Sequence, residues 1–293
     1  MLDGYYDLGR SLPNYDVVSF LCALEQERIR LGEDTVSITF IPGSRGGFGI
    51  DRLWPDNIEQ RIKLRDNVAM PLCRLLPSCT SIALVGSREG YRGFGVGRWW
   101  GGPSHIARAC TAGVRPLRSP YKIGCGVDNI VTITLREADH WPARNSNVGE
   151  WIKAASYIRK HGFRPVFIRD TCKAYELIEG FDCYPKASLS IAERSRLYAS
   201  AILNMGVSNG PVWLALCMDV PLAMLRPVED SKGGTCATSV YFERCGIPRG
   251  GQVPGSPDYQ QLFWTSDRSF EIINAFKKMI GIDSIWEGNK TNG

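Results

Sequence analysis

Apolar positions along the chain change repeatedly between a period of two and a period near 3.6. Residues 35–41 alternate and are rich in β-branched side chains, which predicts a strand. Segments 15–18, 81–85, 129–136, 164–170, 201–207 and 220–225 also read as strands. Helical spacing marks 20–31, closed by Gly32, then 57–76 and 148–161, closed by Gly162. A Ser190-x-x-Glu193 capping box opens a helix over 190–201, and an amphipathic helix covers 267–280. Strands that alternate with helices predict parallel sheets with helices on both faces. The alternation restarts beyond Pro116, Pro120 and Gly124. The expected fold is therefore α/β, with two facing Rossmann-like domains, residues 1–125 and 126–293, and an interdomain cleft.

Composition narrows the class. The chain has 293 residues, 44% hydrophobic and 22% charged, ordinary for a globular protein of this size. A net charge of +5 is spread out, with no Lys/Arg block, so nucleic acid is not an expected partner. No apolar run approaches the ~20 residues of a membrane span. Ten cysteines form no C-x-x-C pair, and several lie inside apolar runs. The N-terminal residues do not follow a signal-peptide pattern, so reduced, mostly buried thiols in a cytoplasmic protein are expected. The same spacing argues against a zinc site.

In open α/β sheets ligands bind beyond the carboxyl ends of the strands, so the residues there carry the candidate chemistry. The richest segment is the turn Ser208-Asn209-Gly210, followed at once by Pro211, a favoured first helical residue. Such a helix start offers unpaired N–H groups and a partial positive charge, which suits phosphate. After the strand at 129–136 come Arg136, Glu137, Asp139, His140, Arg144 and Asn145. Arg136 and Arg144 offer forked donors for a diphosphate, and Asn145 an amide for a hydroxyl-rich group. Asp139, Glu137 or His140 would act as general base, Glu137 being better placed to brace Arg136. Asp51 and Glu89 compete from the first half. The glycine-rich loop with Arg45, Gly46 and Gly47 lacks dinucleotide spacing and reads as a mobile loop that closes over substrate. Tyr91, Phe94, Trp99 and Trp100 are either ring-stacking residues or a small core under a loop. Asp170 reads as a helix cap at least as well as a ligand contact. In the loop Arg226–Asp230 an acid for ribose hydroxyls is weaker than an ordinary surface loop.

From 129 to 280 the order of elements resembles the donor-binding domain of GT-B glycosyltransferases, in particular the heptosyltransferase and fucosyltransferase-like branches. The resemblance rests on Ile133-Thr134-Leu135-Arg136, on the strand ending Arg169-Asp170, and on residues 190–225 with their Ser-Asn-Gly-Pro turn. It implies that Ser208, Asn209 and Gly210 touch the donor phosphates and that Arg136 is an anion contact. The implied reaction moves a sugar from a nucleoside-diphosphate sugar to a glycan or other hydroxyl acceptor. The absence of an Asp-x-Asp motif points away from the GT-A class and to a metal-independent enzyme, with no cofactor expected. A sugar-nucleotide hydrolase or epimerase, or a non-catalytic nucleotide-sugar-binding protein, would share these features.

Overall fold

A computed structural model of the protein describes residues 1–49, 57–96, 103–120, 129–139, 142–225 and 239–281. The chain is a mixed α/β protein with two parallel sheets. The first half contributes β1 (Leu2–Asp7), α1 (Val17–Leu31), β2 (Val36–Ile41), α2 (Ile58–Leu64), α3 (Met70–Cys73), β3 (Cys79–Leu84) and α4 (Pro103–Thr111). The second contributes β4 (Ile130–Thr134), α5 (Val148–Lys160), β5 (Arg164–Ile168), β6 (Asp182–Cys183), α6 (Pro185–Leu189) and α7 (Ile191–Ser200). It continues with β7 (Leu203–Val207), α8 (Gly210–Cys217), β8 (Leu222–Leu225), α9 (Ser239–Arg244), β9 (Gln260–Phe263) and α10 (Ser269–Ile280).

The first sheet has three strands in the order β1-β2-β3, and the second has six in the order β6-β5-β4-β7-β8-β9. Every pairing in both is parallel. From the central β4, the chain runs outward through β5 and β6 on one side and through β7, β8 and β9 on the other. The loops after β4 and β7 therefore diverge and open a crevice between neighbouring strands, the usual ligand position in such sheets.

Two expectations are corrected. Segment 15–18 is not a strand, because Val17 and Val18 open α1, and the first strand is instead β1, where apolar and polar residues do not alternate. The helical segment expected over 57–76 is one path in three parts, in which α2 passes through a π-helical turn at Arg65–Ala69 into α3.

One hydrophobic core joins the two sheets. It includes Phe20, Leu21 and Cys22 of α1 together with Trp213, Leu214 and Cys217 of α8. The sulfurs of Cys22 and Cys217 lie 3.6 Å apart within it. A second cluster fills the far side of the six-stranded sheet beneath α5 and α10, with Trp151 and Phe276 fully buried. The described cysteines are free thiols, most of them buried, and Cys172 is exposed. Among the described residues no helix is long and apolar enough to cross a membrane.

Candidate anion site at the β4–β7 crevice

The loop after β4 is fastened by its own residues. The Arg136 N–H donates to Ser146 Oγ at 2.9 Å, and the Ser146 N–H returns a bond to the Arg136 carbonyl at 2.8 Å. Asn145 clamps the loop from within. Its Oδ1 accepts from Arg136 Nη1 and from the Ala138 N–H, and its Nδ2 donates to the Ala138 carbonyl. The Asn145 amide is thus engaged at both ends by the protein, and it orients Arg136, which is 5% exposed.

Glu137 faces another way. Its carboxylate receives Arg169 Nε at 3.0 Å and Nη2 at 2.5 Å, with Lys173 Nζ at 3.7 Å. Burial pushes this carboxyl up, but the Arg169 guanidinium and Lys173 outweigh it and hold the carboxyl below its ordinary range. The expected brace of Arg136 by Glu137 is therefore corrected: the partner is Arg169, on the adjacent strand end. Asp170 is equally engaged, with Oδ1 capping the Thr171 N–H at 2.8 Å and Oδ2 receiving the Glu137 N–H at 3.2 Å. Asp139 is exposed, and its charge reaches Cys172 across the loop. His140 lies outside the described residues, as do Asp51, Trp99, Trp100 and the loop at 226–230.

After β7 the turn is built around side chains. Asn209 caps α8, its Oδ1 accepting from the Val212 N–H at 3.0 Å. Ser208 Oγ accepts from Trp213 Nε1 at 3.2 Å. Gly210 is required by close approach, since a Cβ there would stand 2.5 Å from the Cβ of Tyr15. Tyr15 comes from the first half of the chain and roofs the start of α8. Desolvation pushes its phenol up to about 12.

Arg144 spans the crevice. It is half-buried, and its Nη2 donates to the Ser208 carbonyl at 3.4 Å. Its Nε is buried without a hydrogen-bond partner, and no carboxylate among the described residues lies within 4.0 Å of the guanidinium. Arg194 on α7 was not visible as a site residue in the sequence. It is 3% exposed, donates from Nη1 to the Tyr198 hydroxyl at 3.1 Å, and likewise has no carboxylate in ion-pair range among the described residues. The Tyr198 hydroxyl in turn shares a 2.8 Å hydrogen bond with Thr134 Oγ1 at the end of β4. Only its helical position on a buried face distinguished Arg194, and that is the position of a core residue.

No protein-family model matches the chain, and no characterised protein matches it in sequence. Solved structures do resemble it, glycosyltransferases among them. The E. coli heptosyltransferase WaaC with ADP aligns at a TM-score of 0.46 and 12% identity, over 96% of this chain and 99% of that one. The iron-containing dodecameric glycosyltransferase TibC from enterotoxigenic E. coli gives 0.44 and 15%, over 98% and 76%. A family 9 glycosyl transferase from Veillonella parvula gives 0.44 and 11%, over 95% and 90%. At this level of likeness they assign no role to any residue of this chain.

The remaining candidates sit on the first sheet. Residues 43–48 form a tight hairpin, with isolated bridges Gly43↔Gly47 and Arg45↔Phe48. Gly46 and Gly47 have φ of 54° and 88°, the left-handed region that favours glycine. The loop expected to be a mobile cover is thus closed by its own backbone hydrogen bonds. Asp7, at the end of β1, is fully buried and held by Arg88 Nη1 and Nη2 at 3.1 and 2.7 Å. Glu89 is exposed beside that arginine. Tyr91 and Phe94 pack on Tyr5 and Phe20, as a small core under a loop.

Proposed function

We propose that the protein is a metal-independent GT-B-type glycosyltransferase that moves a sugar from a nucleoside-diphosphate sugar to a hydroxyl acceptor. In this reading residues 1–125 form the acceptor domain, 126–293 the donor domain, and the two face each other across a cleft. The observation that carries the proposal is Arg144. A guanidinium with no carboxylate partner among the described residues reaches from the loop after β4 to the carbonyl of Ser208, at the N-terminal end of α8. Two carboxylates of these strand ends, Glu137 and Asp170, are already engaged by the protein, and Asp139 is exposed. The crevice therefore holds an excess of positive charge, and a diphosphate complements it.

Arg144, Arg136 and the 208–210 turn would stabilise the departing nucleoside diphosphate in place before charge develops, the part a metal plays elsewhere. Asn145 holds Arg136 in its rotamer. Asp139 or His140 takes the proton of the acceptor hydroxyl, while Glu137 serves the architecture of the strand end. One observation favours the non-catalytic reading: of three candidate bases, Glu137 is locked in an ion pair. Turnover of a nucleoside-diphosphate sugar separates the two readings, and such turnover is expected to survive a chelator.

The test of the anion site is calorimetric titration with a panel of nucleoside diphosphates. Each lost charged hydrogen bond costs about 1.5–3 kcal/mol, so Arg144→Ala and Arg136→Ala should each weaken binding by roughly 10- to 150-fold. Unchanged affinity in both variants removes the donor site from this crevice.

A further inference from the structure

We propose a second oxyanion site outside the β4–β7 crevice, built on Arg61 of α2 at the carboxyl ends of β1 and β2. Arg61 is 2% exposed. Its Nη1 donates to the Gly49 carbonyl at 2.5 Å, while Nε and Nη2 are buried and have no hydrogen-bond partner. No carboxylate among the described residues lies within 4.0 Å of it. The vacant atoms form one edge of the guanidinium, and that edge is the fork that grips two oxygens of one oxyanion. Elsewhere in this chain the same edge grips carboxylates, Asp66 by Arg65 at 2.7 and 3.0 Å among them. Arg28 binds Glu25 at 2.9 and 2.8 Å, Arg30 binds Glu27 at 2.7 and 2.7 Å, and Arg169 binds Glu137 at 3.0 and 2.5 Å.

The surroundings place this fork at the strand ends. The Gly49 N–H donates to the Leu8 carbonyl, just past β1, and a Cβ on Gly49 would stand 2.1 Å from the Gly9 carbonyl oxygen. Loop 43–49 is thereby bound to the end of β1 on one side and to Arg61 on the other. Asp7, at the end of β1, is already taken by Arg88. A buried guanidinium with an empty fork is costly, because its donors have lost water and gained nothing. A phosphate or carboxylate oxyanion completes it. Resting on the reading above, that oxyanion belongs to the acceptor, because the donor's diphosphate is assigned to the other sheet.

Thermal unfolding at constant ionic strength tests the site, with inorganic phosphate and malonate as probes and chloride as reference. Either probe should raise the wild-type Tm by a few degrees, as expected for a ligand that binds only the folded state. A larger shift with phosphate indicates a phosphate ester as natural ligand, and a larger shift with malonate a carboxylate. In an Arg144→Ala background, where the crevice site is weakened, Arg61→Met should abolish the shift, and anion-free Arg61→Met should be at least as stable as wild type, since an unpaired buried charge has been removed. Arg61→Lys keeps the charge and loses the fork, so its titration midpoint should rise roughly tenfold. The shift should persist in Arg144→Ala, which reports on the donor site alone, so the two proposals fail independently. No shift in wild type, an undiminished shift on adding Arg61→Met to the Arg144→Ala background, a wild-type midpoint in Arg61→Lys, or a large fall in Tm of anion-free Arg61→Met would each overturn the site.

Discussion

Replacing Glu137 with alanine separates an architectural carboxylate from a chemical one. The Glu137 and Arg169 side chains are 6% and 9% exposed and share two charged hydrogen bonds of 3.0 and 2.5 Å. Removing one partner of a buried pair costs about 3–5 kcal/mol, because the other charge is left without compensation. Arg169 keeps part of its compensation, from Glu176 Oε2 at 3.3 Å on a residue 59% exposed and from the Glu176 carbonyl at 3.1 Å. The expected loss therefore falls at the lower end, about 3 kcal/mol, or a Tm lower by roughly 6–12 °C. Urea unfolding followed by tryptophan fluorescence, with calorimetry alongside, measures it directly. Glu137→Gln, which keeps the volume and removes the charge, should move in the same direction. The reasoning fails if Glu137→Ala stays within about 0.5 kcal/mol of the parent while kcat drops by ~10²–10⁴, the signature of a general base.

The same pair sets a pH dependence. Its Glu137 carboxyl lies below the ordinary value of 4.5 in the folded state, so its stabilisation is complete above that value and is lost as pH falls below it, which an acid titration of the Tm in Glu137→Gln against wild type will show as a shallower slope in the variant. Gly210→Ala places a Cβ 2.5 Å from that of Tyr15, so it should destabilise by about 1–3 kcal/mol in denaturant, with partial recovery in a Tyr15→Ala background. Asp139→Asn or His140→Ala should lower kcat by ~10²–10⁴ while nucleoside-diphosphate affinity persists, and near-normal kcat in both would transfer the base to the first sheet.

Much of the second half was legible because its signals are local. Ser190 does cap α7 through the Glu193 N–H, although Glu193 turns to Arg196 and Tyr184 instead of completing the capping box. Asn209 and Pro211 mark the start of α8, and the strand ends before Arg136 and Ser208 fall where β-branched and apolar runs stop. The helix expected over 148–161 ends as read, and at its end His161 stacks on Tyr157 with Nδ1 on the Tyr157 carbonyl. What the sequence hid depends on distance along the chain. β1 carries Asp3, Gly4 and two tyrosines and becomes a strand only by pairing with β2. Glu137 and Arg169 are 32 residues apart, so the neighbouring Arg136 was the natural but incorrect partner. Arg61 and Arg194 sit at ordinary helical positions, and only tertiary packing shows that each is a buried cation without a carboxylate among the described residues.

The core that runs from α1 into α8 has a mechanical consequence. A hinge needs a seam where few contacts cross, and here Cys22 meets Cys217 while Tyr15 is seated on Gly210. Both sheets should accordingly melt as one foldon, with a single calorimetric transition whose enthalpy matches the van 't Hoff value. Access to the strand ends is then expected to depend on the loops beyond the strands, not on one half swinging away from the other. A substitution deep in α8 would be felt in α1, and through it in the three-stranded sheet.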